Sequence, residues 1–432
     1  MSQFISSENA VKIVKSGWRI YVQAAAAAPS ELTTELTKRA DELQNVEICH
    51  LHTEGPAPYA NPEFSKSFHV NSFFIGKNVR HTLAAGNGSY TPVFLSELPN
   101  LFRKKTIPLD AAFIHVSPPD VHGYCSLGVS VEATLAAIEN AAVVIAQVNP
   151  RMPRTFGDSI IHSSEIDFFT ESNTAIHCHE MPEISETENK IGQYVASLID
   201  DKSTLQMGIG SIPNAALNNL KNHKDLGLHT EMFSDGVIDL IESGVINCKY
   251  KGISKGKALA TFLIGSQRLY DFVDGNPFIE MRESSFVNDT ARIRRNPKMV
   301  AINSAIEVDI TGQVCADSIG AKMYSGVGGQ MDFVRGASLS EGGKAIIALP
   351  SITKSGASRI VPFLKEGAGV VTTRAHAQYI ITENGIADLY GKSLKHRAEA
   401  LVRIAHKDHQ EWIDKAYYEM INSGTRFFSG SL

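Results

Sequence analysis

The stretch Thr204-Leu-Gln-Met-Gly-Ile-Gly-Ser-Ile-Pro213 runs from a short apolar segment through two glycines into residues that favour a helix. A buried strand, a tight turn and a helix, here expected over residues 215–220, form the repeating unit of α/β proteins with parallel sheets. Similar apolar runs alternate along the chain with longer segments of helical period. These runs predict strands at residues 19–22, 111–116, 142–148, 204–207, 299–302, 345–349 and 369–372.

The same unit occurs once earlier in the chain. Residues 19–22 are followed by the small residues 24–28, by Pro29 and by a helix expected over residues 31–40. Each unit then leads to the tripeptide His-Thr-Glu, which ends at Glu54 in the first unit and at Glu231 in the second. Two matching features in the same order predict an internal duplication.

The predicted fold class is therefore α/β, with two similar units and mostly parallel sheets. An acidic segment at residues 180–190, which contains Pro182, is typical of a connection between units. We expect an N-terminal domain over residues 1–186 and a C-terminal domain over residues 187–432.

Composition limits the possible functions. The chain has 432 residues, 43% of them hydrophobic and 20% charged, and a net charge of −5 without any basic stripe, so nucleic acid is not an expected partner. The N-terminus has no unbroken apolar core of a signal peptide, and later apolar runs are shorter than the roughly 20 residues that span a membrane. The five cysteines are widely separated and lack a Cys-x-x-Cys pair, which fits a reducing compartment. We expect a cytoplasmic protein without membrane contact, whose partner is a small molecule or another subunit.

The difference between the two units indicates where the chemistry lies. The first unit has alanines where the second has Gly208-Ile-Gly210, and only glycines let a ligand approach the main chain closely. We expect Pro213 at the first helical position, so that the next amides face an anion or a developing oxyanion. The loop lacks the third glycine of the dinucleotide fingerprint, and a simple strand-to-helix turn explains the pattern equally well.

Three glutamates are candidates for a nucleophile. Glu231 ends a strand predicted over residues 226–233 beside residues 204–207, so it would reach the sheet edge where ligands bind. Glu54 is its repeat mate but faces the alanine loop, and Glu383 lies in a turn after the apolar run 379–381. A surface carboxylate without a catalytic role is the alternative for each glutamate, and it is the weakest alternative for Glu231.

A second glycine cluster, Gly326-Val-Gly328-Gly329, precedes Asp332. Glycines this dense can present consecutive amides to a substrate oxygen, or can only form a tight turn, and both interpretations stay open. His177 and His179 flank a cysteine, but no further ligands follow at zinc-finger spacing, so no metal site is expected.

Together these segments resemble the acetyl-CoA hydrolase/transferase family of CoA-transferases, and most closely its 4-hydroxybutyrate or butyrate:acetate CoA-transferase branch. The flanking residues of Glu383 match the branch in which this Glu-Asn-Gly turn is not the nucleophile. The matching stretches cover nearly the whole chain and are residues 208–216, 229–236, 301–309, 326–333, 381–389, 391–394, 397–398 and 404–406.

The resemblance implies a homo-oligomeric enzyme, such as a dimer, with two α/β domains of the CoA-transferase type. The first domain would shape the acyl pocket, and the second would carry the nucleophile Glu231. Gly328 or Gly329 would donate an amide hydrogen to the oxyanion hole. Coenzyme A or acyl-CoA would bind as substrate, without a metal, to Gly208, Ile209, Gly210, Ser211, Ile212, Ile306 and Gly329.

The implied reaction is a ping-pong transfer of CoA between short carboxylic acids through a glutamyl-CoA thioester. A glutamate with an ordinary pKa of about 4.3 is ionised at neutral pH and needs no general base. An acyl-CoA hydrolase acting at the same site and a non-enzymatic acyl-CoA-binding subunit remain the alternatives. The preferred acids stay open. The position of the acyl pocket also stays open, with residues 56–59 and 86–90 as candidates. The cations that would bind the CoA phosphates are equally unassigned, with residues 251–257 and 292–298 as candidates.

Overall fold

A computed structural model describes residues 3–180, 183–208 and 210–422. The first half of the chain forms an eight-stranded sheet in which all neighbouring strands are parallel. Its central strands are buried on both faces, which explains their nearly continuous apolar sequences. In spatial order the strands are Gln3–Phe4, Phe168–Glu171, Ala141–Val148, Leu109–Val116, Arg19–Val22, Val46–His50, Phe68–Ser72 and Gly88–Tyr90.

The second half forms a six-stranded sheet that is parallel except for its last hairpin. Its spatial order is Gly227–Leu228, Thr204–Met207, Met299–Ser304, Lys344–Ala348, Tyr379–Thr382 and Gly385–Asp388. In both sheets the first strand of the repeated unit lies between the next strand of the chain on one side and three later parallel strands on the other, although the first sheet has two further strands, Phe68–Ser72 and Gly88–Tyr90, beyond the second strand. The predicted α/β class with mostly parallel sheets is confirmed, and the repeated order supports two similar units. The boundary after residue 186 stays a prediction.

Helices cover the sheets, and four of the α-helices begin after a residue whose side chain caps the helix, namely Ser6, Ser185, Asp289 and Ser393. Ser185 and Glu188 form a capping box at the start of Glu186–Ser197, and this helix packs against Ser211–Asn218. The α-helices are Ser7–Ala10, Ser30–Thr37, His81–Ala85, Leu98–Arg103, Thr134–Asn140, Glu186–Ser197, Ser211–Asn218, Ile238–Glu242, Gln267–Val273, Ser284–Val287, Thr290–Ile293, Gln330–Leu339, Leu394–Ile404 and Lys407–Asn422. Among the described residues, no helix combines the length and the apolar character needed to cross a bilayer.

The two halves share a core and several short strands. The largest buried apolar cluster contains Phe73 and Leu95 from the first half and Met207 and Phe262 from the second. Backbone pairing also crosses between the halves, because the Leu263 N–H donates to the Val129 carbonyl over 2.8 Å. The short strands outside the two main sheets are Tyr124–Ser126, Phe156–Gly157, Ile160–His162, Met232–Phe233, Ala258–Ala260, Phe262–Leu263, Ile279–Met281, Glu307–Asp309, Val314–Cys315, Ser318–Ile319, Lys322–Met323 and Ile360–Val361.

The strand predicted over residues 226–233 is wrong as a single element. It divides into Gly227–Leu228, which pairs with the Thr204–Met207 strand, and Met232–Phe233, which pairs elsewhere with Phe262–Leu263. The side chain of Thr230 accounts for the break, since its Oγ1 accepts the Met207 N–H over 3.1 Å and takes the place of a backbone partner.

Two further predictions were wrong in detail. The predicted strand at 369–372 forms only an isolated bridge between Val314 and Thr372, and the fifth strand of the second sheet is Tyr379–Thr382. The helix after the glycine loop begins at Ser211, because Gly210 adopts φ 126° as its N-cap. Pro213 is therefore the third helical residue, where its missing N–H costs no helical hydrogen bond.

Candidate active site

A cavity of about 580 Å³ lies between the two halves, at the carboxyl ends of the strands Thr204–Met207 and Met299–Ser304. Its second-half wall includes Glu231 and residues of both glycine clusters. Ligands of α/β proteins bind at this end of parallel strands, so the position is the expected one. A second, more polar cavity of about 640 Å³ beside the helix Leu394–Ile404 includes neither glycine cluster.

The backbone of Glu231 is fixed at the turn between the two short strands. Its carbonyl accepts the Thr261 N–H over 2.9 Å and the Phe262 N–H over 3.2 Å. Its partly exposed side chain points to the cavity, and Oε2 accepts a hydrogen bond of 2.9 Å from Asn288 Nδ2. The Gly329 amide also donates to this carboxylate. Two donors, a side-chain amide and a backbone amide, therefore hold the carboxylate.

Burial raises the pKa of Glu231 from 4.5 to about 7, and the nearby carboxylate of Asp332 raises it further, whereas the hydrogen bonds from Asn288 and Gly329 oppose the shift. The ordinary pKa expected from the sequence is thus wrong for Glu231 in the folded chain. A substantial fraction of Glu231 is protonated at neutral pH, and its ionised form is a stronger base than an exposed glutamate.

Gly329 has to be glycine because of contact distance. A Cβ atom there would lie 1.8 Å from Glu231 Oε2 and 2.1 Å from Asn288 Nδ2, although φ is an ordinary −98°. Gly328 differs, since its φ of +55° lies in the left-handed region and its Cβ would meet Phe74 at 3.3 Å. The predicted glycine cluster therefore touches the predicted nucleophile.

The first half holds this glycine loop through hydrogen bonds to the backbone of the loop. The Tyr90 hydroxyl accepts the Val327 N–H over 3.1 Å, and the Leu95 N–H donates to the Gly328 carbonyl over 3.1 Å. Tyr90 belongs to the segment 86–90, one of the two candidates for the acyl pocket, and in the structure it supports the loop.

The residues before the loop are fixed in the same way. The Ile75 N–H donates to the Ser325 carbonyl over 3.1 Å, and Arg80 Nε donates to the Tyr324 carbonyl over 2.8 Å. The Arg80 guanidinium also stacks 3.7 Å from the centre of the Tyr324 ring. The loop is therefore positioned by both halves together.

His229, the first residue of the repeated tripeptide, positions Asn288. Its ring is fully buried, which lowers its pKa to about 3 and keeps it neutral. Nε2 lies 2.7 Å from the Val287 carbonyl and Nδ1 lies 2.8 Å from Asn296 Nδ2, so Nε2 carries the hydrogen and Nδ1 accepts. The imidazole thus fixes the end of the short helix Ser284–Val287, directly before Asn288.

The structure places the residues predicted to bind CoA in different environments, and only some of the described ones line the cavity. Gly208 lines the cavity and Gly210 is the helix N-cap, while Ile209 lies outside the described residues. The Ser211 hydroxyl donates to Glu188, and Ile212 is buried in the core. Ile306 does not line the cavity, and its N–H donates to the Cys315 carbonyl over 2.8 Å.

The other candidate glutamates have different surroundings. Glu54 lines the same cavity as Glu231, with its carboxylate 3.8 Å from His52 Nε2 and 3.9 Å from His177 Nε2. Glu383 lies outside this cavity, and its carboxylate accepts the Ser351 N–H over 2.9 Å and the Ser351 hydroxyl. Glu54, which corresponds to Glu231 in the first repeated unit, therefore lies at the same cavity, whereas Glu383 is part of a turn.

Sequence reasoning missed the cations of the cavity. Lys77 and Arg80 line it, and they belong to no motif that would have identified them, whereas His179, which also lines it, belongs to the pair that the sequence offered only as a possible metal site. The candidate Lys251 is fully buried instead, where its Nζ donates to the carbonyls of Leu228 and Lys257, and burial lowers its pKa to about 8.

The cavity also contains apolar side chains suited to an acyl chain, namely Leu51, Phe74, Met207, Met232 and Phe262. In the candidate segment 56–59, by contrast, Tyr59 is buried in the core of the first half and does not line the cavity. Over residues 3–180, 183–208 and 210–422 no group of three or more His, Cys, Asp or Glu side chains is arranged to hold a metal ion.

Comparison with known proteins gives a consistent result. Residues 1–178 match the acetyl-CoA hydrolase/transferase N-terminal domain and residues 265–417 match the C-terminal domain. The chain is 49% identical to a succinyl-CoA:acetate/propanoyl-CoA:succinate CoA transferase of Fasciola hepatica, over 94% of this chain and 86% of the relative. It is 46% identical to a 4-hydroxybutyrate coenzyme A transferase of Clostridium kluyveri, over 95% of this chain and 96% of the relative. The solved structure of a 4-hydroxybutyrate CoA-transferase from Porphyromonas gingivalis superposes with a TM-score of 0.84 at 38% identity, covering 97% of this chain and 98% of that one.

Proposed function

Because the chain belongs to the acetyl-CoA hydrolase/transferase family, we propose that it transfers CoA between short carboxylic acids through a covalent thioester on Glu231. One observation carries this proposal: an amide hydrogen of Gly329 and the side-chain amide of Asn288 both donate to the Glu231 carboxylate inside the cavity between the halves. The matched relatives named as CoA-transferases support the reaction class.

The first steps follow from the chemistry of a carboxylate. An oxygen of ionised Glu231 attacks the thioester carbonyl of an acyl-CoA, the C–O bond forms, and the C–S bond breaks as CoA thiolate leaves a mixed anhydride. The thiolate then attacks the glutamyl carbonyl and releases the first acid as its carboxylate. Glu231 now carries CoA as a thioester, with no net proton or electron change.

A second carboxylate runs the same steps in reverse. It attacks the glutamyl thioester, displaces the thiolate and forms a new anhydride, from which the thiolate takes the new acyl group. Glu231 is thereby restored as a carboxylate. Water competes with the acceptor acid at both intermediates, so exclusion of water separates a transferase from a hydrolase.

The glycine amides have separate tasks in this scheme. We assign the Gly328 amide to the oxyanion that develops on the substrate carbonyl. The donors already placed on Glu231, Gly329 N–H and Asn288 Nδ2, would hold the glutamyl carbonyl oxygen when that carbon is attacked in turn. Each such donor contributes on the order of 10²–10³ to the rate.

Two finer points complete the proposal. We infer a homo-oligomer such as a dimer, since large aromatic side chains including Tyr390, 70% exposed, and Trp412, 51% exposed, suit contact with a second copy. We also infer a cytoplasmic location, because the five cysteines are free, as in reducing compartments.

Intact-mass analysis tests the covalent step. After incubation with an acyl-CoA and no acceptor acid, we expect a mass increase of one CoA, mapped to the peptide that contains Glu231. An unaltered mass under turnover conditions, or an adduct on Glu54 or Glu383, would contradict the assignment. Release of CoA into water at the same rate with and without an added acid would favour the hydrolase.

The raised pKa of Glu231 predicts a pH dependence. Only the ionised carboxylate attacks, so thioester formation should fall about tenfold for each pH unit below the pKa of about 7 and level off above it. Rapid-quench measurement of the single-turnover rate at pH values below and above this pKa would show the fall in rate at acid pH, which is the acid limb of the profile. A rate that is already flat around pH 5 would show that Glu231 ionises with an ordinary pKa.

A further inference from the structure

We infer that Asp332 is a positioning residue for the nucleophile, because it keeps the Asn288 amide turned so that its nitrogen donates to Glu231 and joins that amide to the first half of the chain. This inference rests on the proposed function, since it concerns how Glu231 passes through its covalent intermediates. Asp332 lies in the first turn of the helix Gln330–Leu339, directly after the glycine loop.

One amide nitrogen serves two carboxylates. Asn288 Nδ2 lies 2.9 Å from Glu231 Oε2 and 3.4 Å from Asp332 Oδ2. Asn288 is fully buried, and among the described residues its Oδ1 has no hydrogen-bond partner. Nothing that contacts the oxygen end of the amide therefore fixes its orientation, and the two carboxylates that accept from the nitrogen end have to do so.

The need for Asp332 is greatest when Glu231 is covalently modified. In the anhydride and in the thioester, Glu231 has lost its negative charge and its oxygen is a weaker acceptor. Asp332 is then the remaining charged acceptor for Asn288 Nδ2. Without it, the amide can rotate and present Oδ1 to the glutamyl carbonyl, which removes a donor from the developing oxyanion and replaces it with a repulsive oxygen.

Asp332 is in turn held by the first half of the chain. The Ser96 N–H donates to Asp332 Oδ2 over 3.2 Å and the Ser96 hydroxyl donates to Oδ1 over 2.8 Å. The preceding residue, Leu95, donates its N–H to the carbonyl of Gly328. One first-half segment thus sets both the glycine loop and the Asn288 amide relative to Glu231.

Because Asn288 Nδ2 donates to both Glu231 and Asp332, their two carboxylates lie close together. Asp332 is only 5% exposed, and burial raises its pKa to about 7. Its negative charge in turn raises the pKa of Glu231. Replacing Asp332 by a neutral residue should therefore make Glu231 ionise at lower pH. Glu97 also faces Asp332, and the other titratable groups that line the cavity with Glu231 are His52, Glu54, Lys77, Arg80, His179 and Tyr324.

The test compares Asp332→Asn with the wild type and with Glu97→Gln. Glu97 is an exposed neighbour whose charge acts on Asp332, but it makes none of the described hydrogen bonds to this network, so it is the matched control. For Asp332→Asn we expect kcat to fall by up to about 10²-fold with little change in KM for the acyl-CoA. Glutamyl-CoA should accumulate by intact mass because its resolution is slowed, and the acid limb of thioester formation should move below that of the wild type. Glu97→Gln should keep the wild-type kcat, accumulate no glutamyl-CoA and shift the acid limb far less than Asp332→Asn does, because its charge reaches Glu231 only through Asp332.

Ser96→Ala provides a second variant that removes only the hydroxyl contact, and it should lower kcat in the same direction by a smaller factor. The inference is overturned if folded Asp332→Asn keeps the wild-type kcat and acid limb. It is equally overturned if kcat falls while the limb stays in place and no glutamyl-CoA accumulates, since that is the behaviour of a purely structural residue. If the wild type itself forms no adduct on Glu231, the proposed function fails and this inference fails with it.

Discussion

Glu231→Gln is expected to abolish CoA transfer, with a loss in kcat on the order of 10⁴–10⁶-fold, the range found when a covalent nucleophile is removed. The glutamine amide is neutral and too weak a nucleophile to form the anhydride, so no intermediate can store CoA. Its side-chain oxygen can still accept from Asn288 Nδ2 and from the Gly329 amide, which preserves the local packing. The variant should therefore fold normally.

Stability provides an independent check on this variant. The folded-state pKa of Glu231 is raised, so its ionised form destabilises the folded protein at pH values above the ordinary pKa of 4.5, and this cost is complete above about 7. Glutamine removes the cost. The melting temperature of Glu231→Gln at pH about 8 should thus equal or exceed that of the wild type, while activity is lost.

Glu383→Gln is the matched control, because Glu383 is the other glutamate that the sequence offered in a family-like motif, yet it lies outside the cavity and contacts Ser351. This control should retain transfer and the CoA adduct. Substantial transfer by Glu231→Gln would exclude Glu231 as the nucleophile, and loss of the adduct in Glu383→Gln alone would assign that role to the turn.

Elements decided by local sequence were predictable. The strands Arg19–Val22 and Thr204–Met207 have the predicted bounds, because each is an apolar run closed by a turn. The break before Glu231 was not predictable, since it depends on the side chain of Thr230 replacing a backbone partner on a neighbouring strand. A hydrogen bond from a side chain in place of the backbone does not change the pattern of apolar residues from which a strand is predicted.

The candidate site was predictable as a set of motifs but not as a geometry. The sequence indicated Glu231 and the glycine cluster separately, and only the fold brings Gly329 against the carboxylate. Asn288 has no motif of its own, and Ser96 lies far from it along the chain. The raised pKa of Glu231 is likewise a product of burial between the halves, so the ordinary pKa of a glutamate underestimates it.

Gly329→Ala is expected to be the most damaging of the glycine substitutions, with a loss in kcat on the order of 10²–10³-fold or more, the effect of losing one oxyanion donor. The added Cβ would lie 1.8 Å from Glu231 Oε2 and 2.1 Å from Asn288 Nδ2, so one of the three groups has to move. The Glu231 backbone is fixed by Thr261 and Phe262, and the helix before Asn288 is fixed by His229. The carboxylate itself is therefore displaced from its donors.

Gly208→Ala is the matched comparison for this effect. A Cβ at Gly208 finds its nearest neighbour, the Ile302 carbonyl oxygen, 4.0 Å away, so the variant should fold without displacement. If the Gly208 loop contacts CoA, this variant should raise KM for the acyl-CoA and leave kcat nearly unchanged, whereas Gly329→Ala should lower kcat with a smaller change in KM. Steady-state kinetics of the two alanine variants, with thermal unfolding to verify folding, separates the cases. A wild-type kcat in Gly329→Ala would show that Glu231 does not need the Gly329 amide, because the carboxylate cannot keep its place beside a methyl group at that distance.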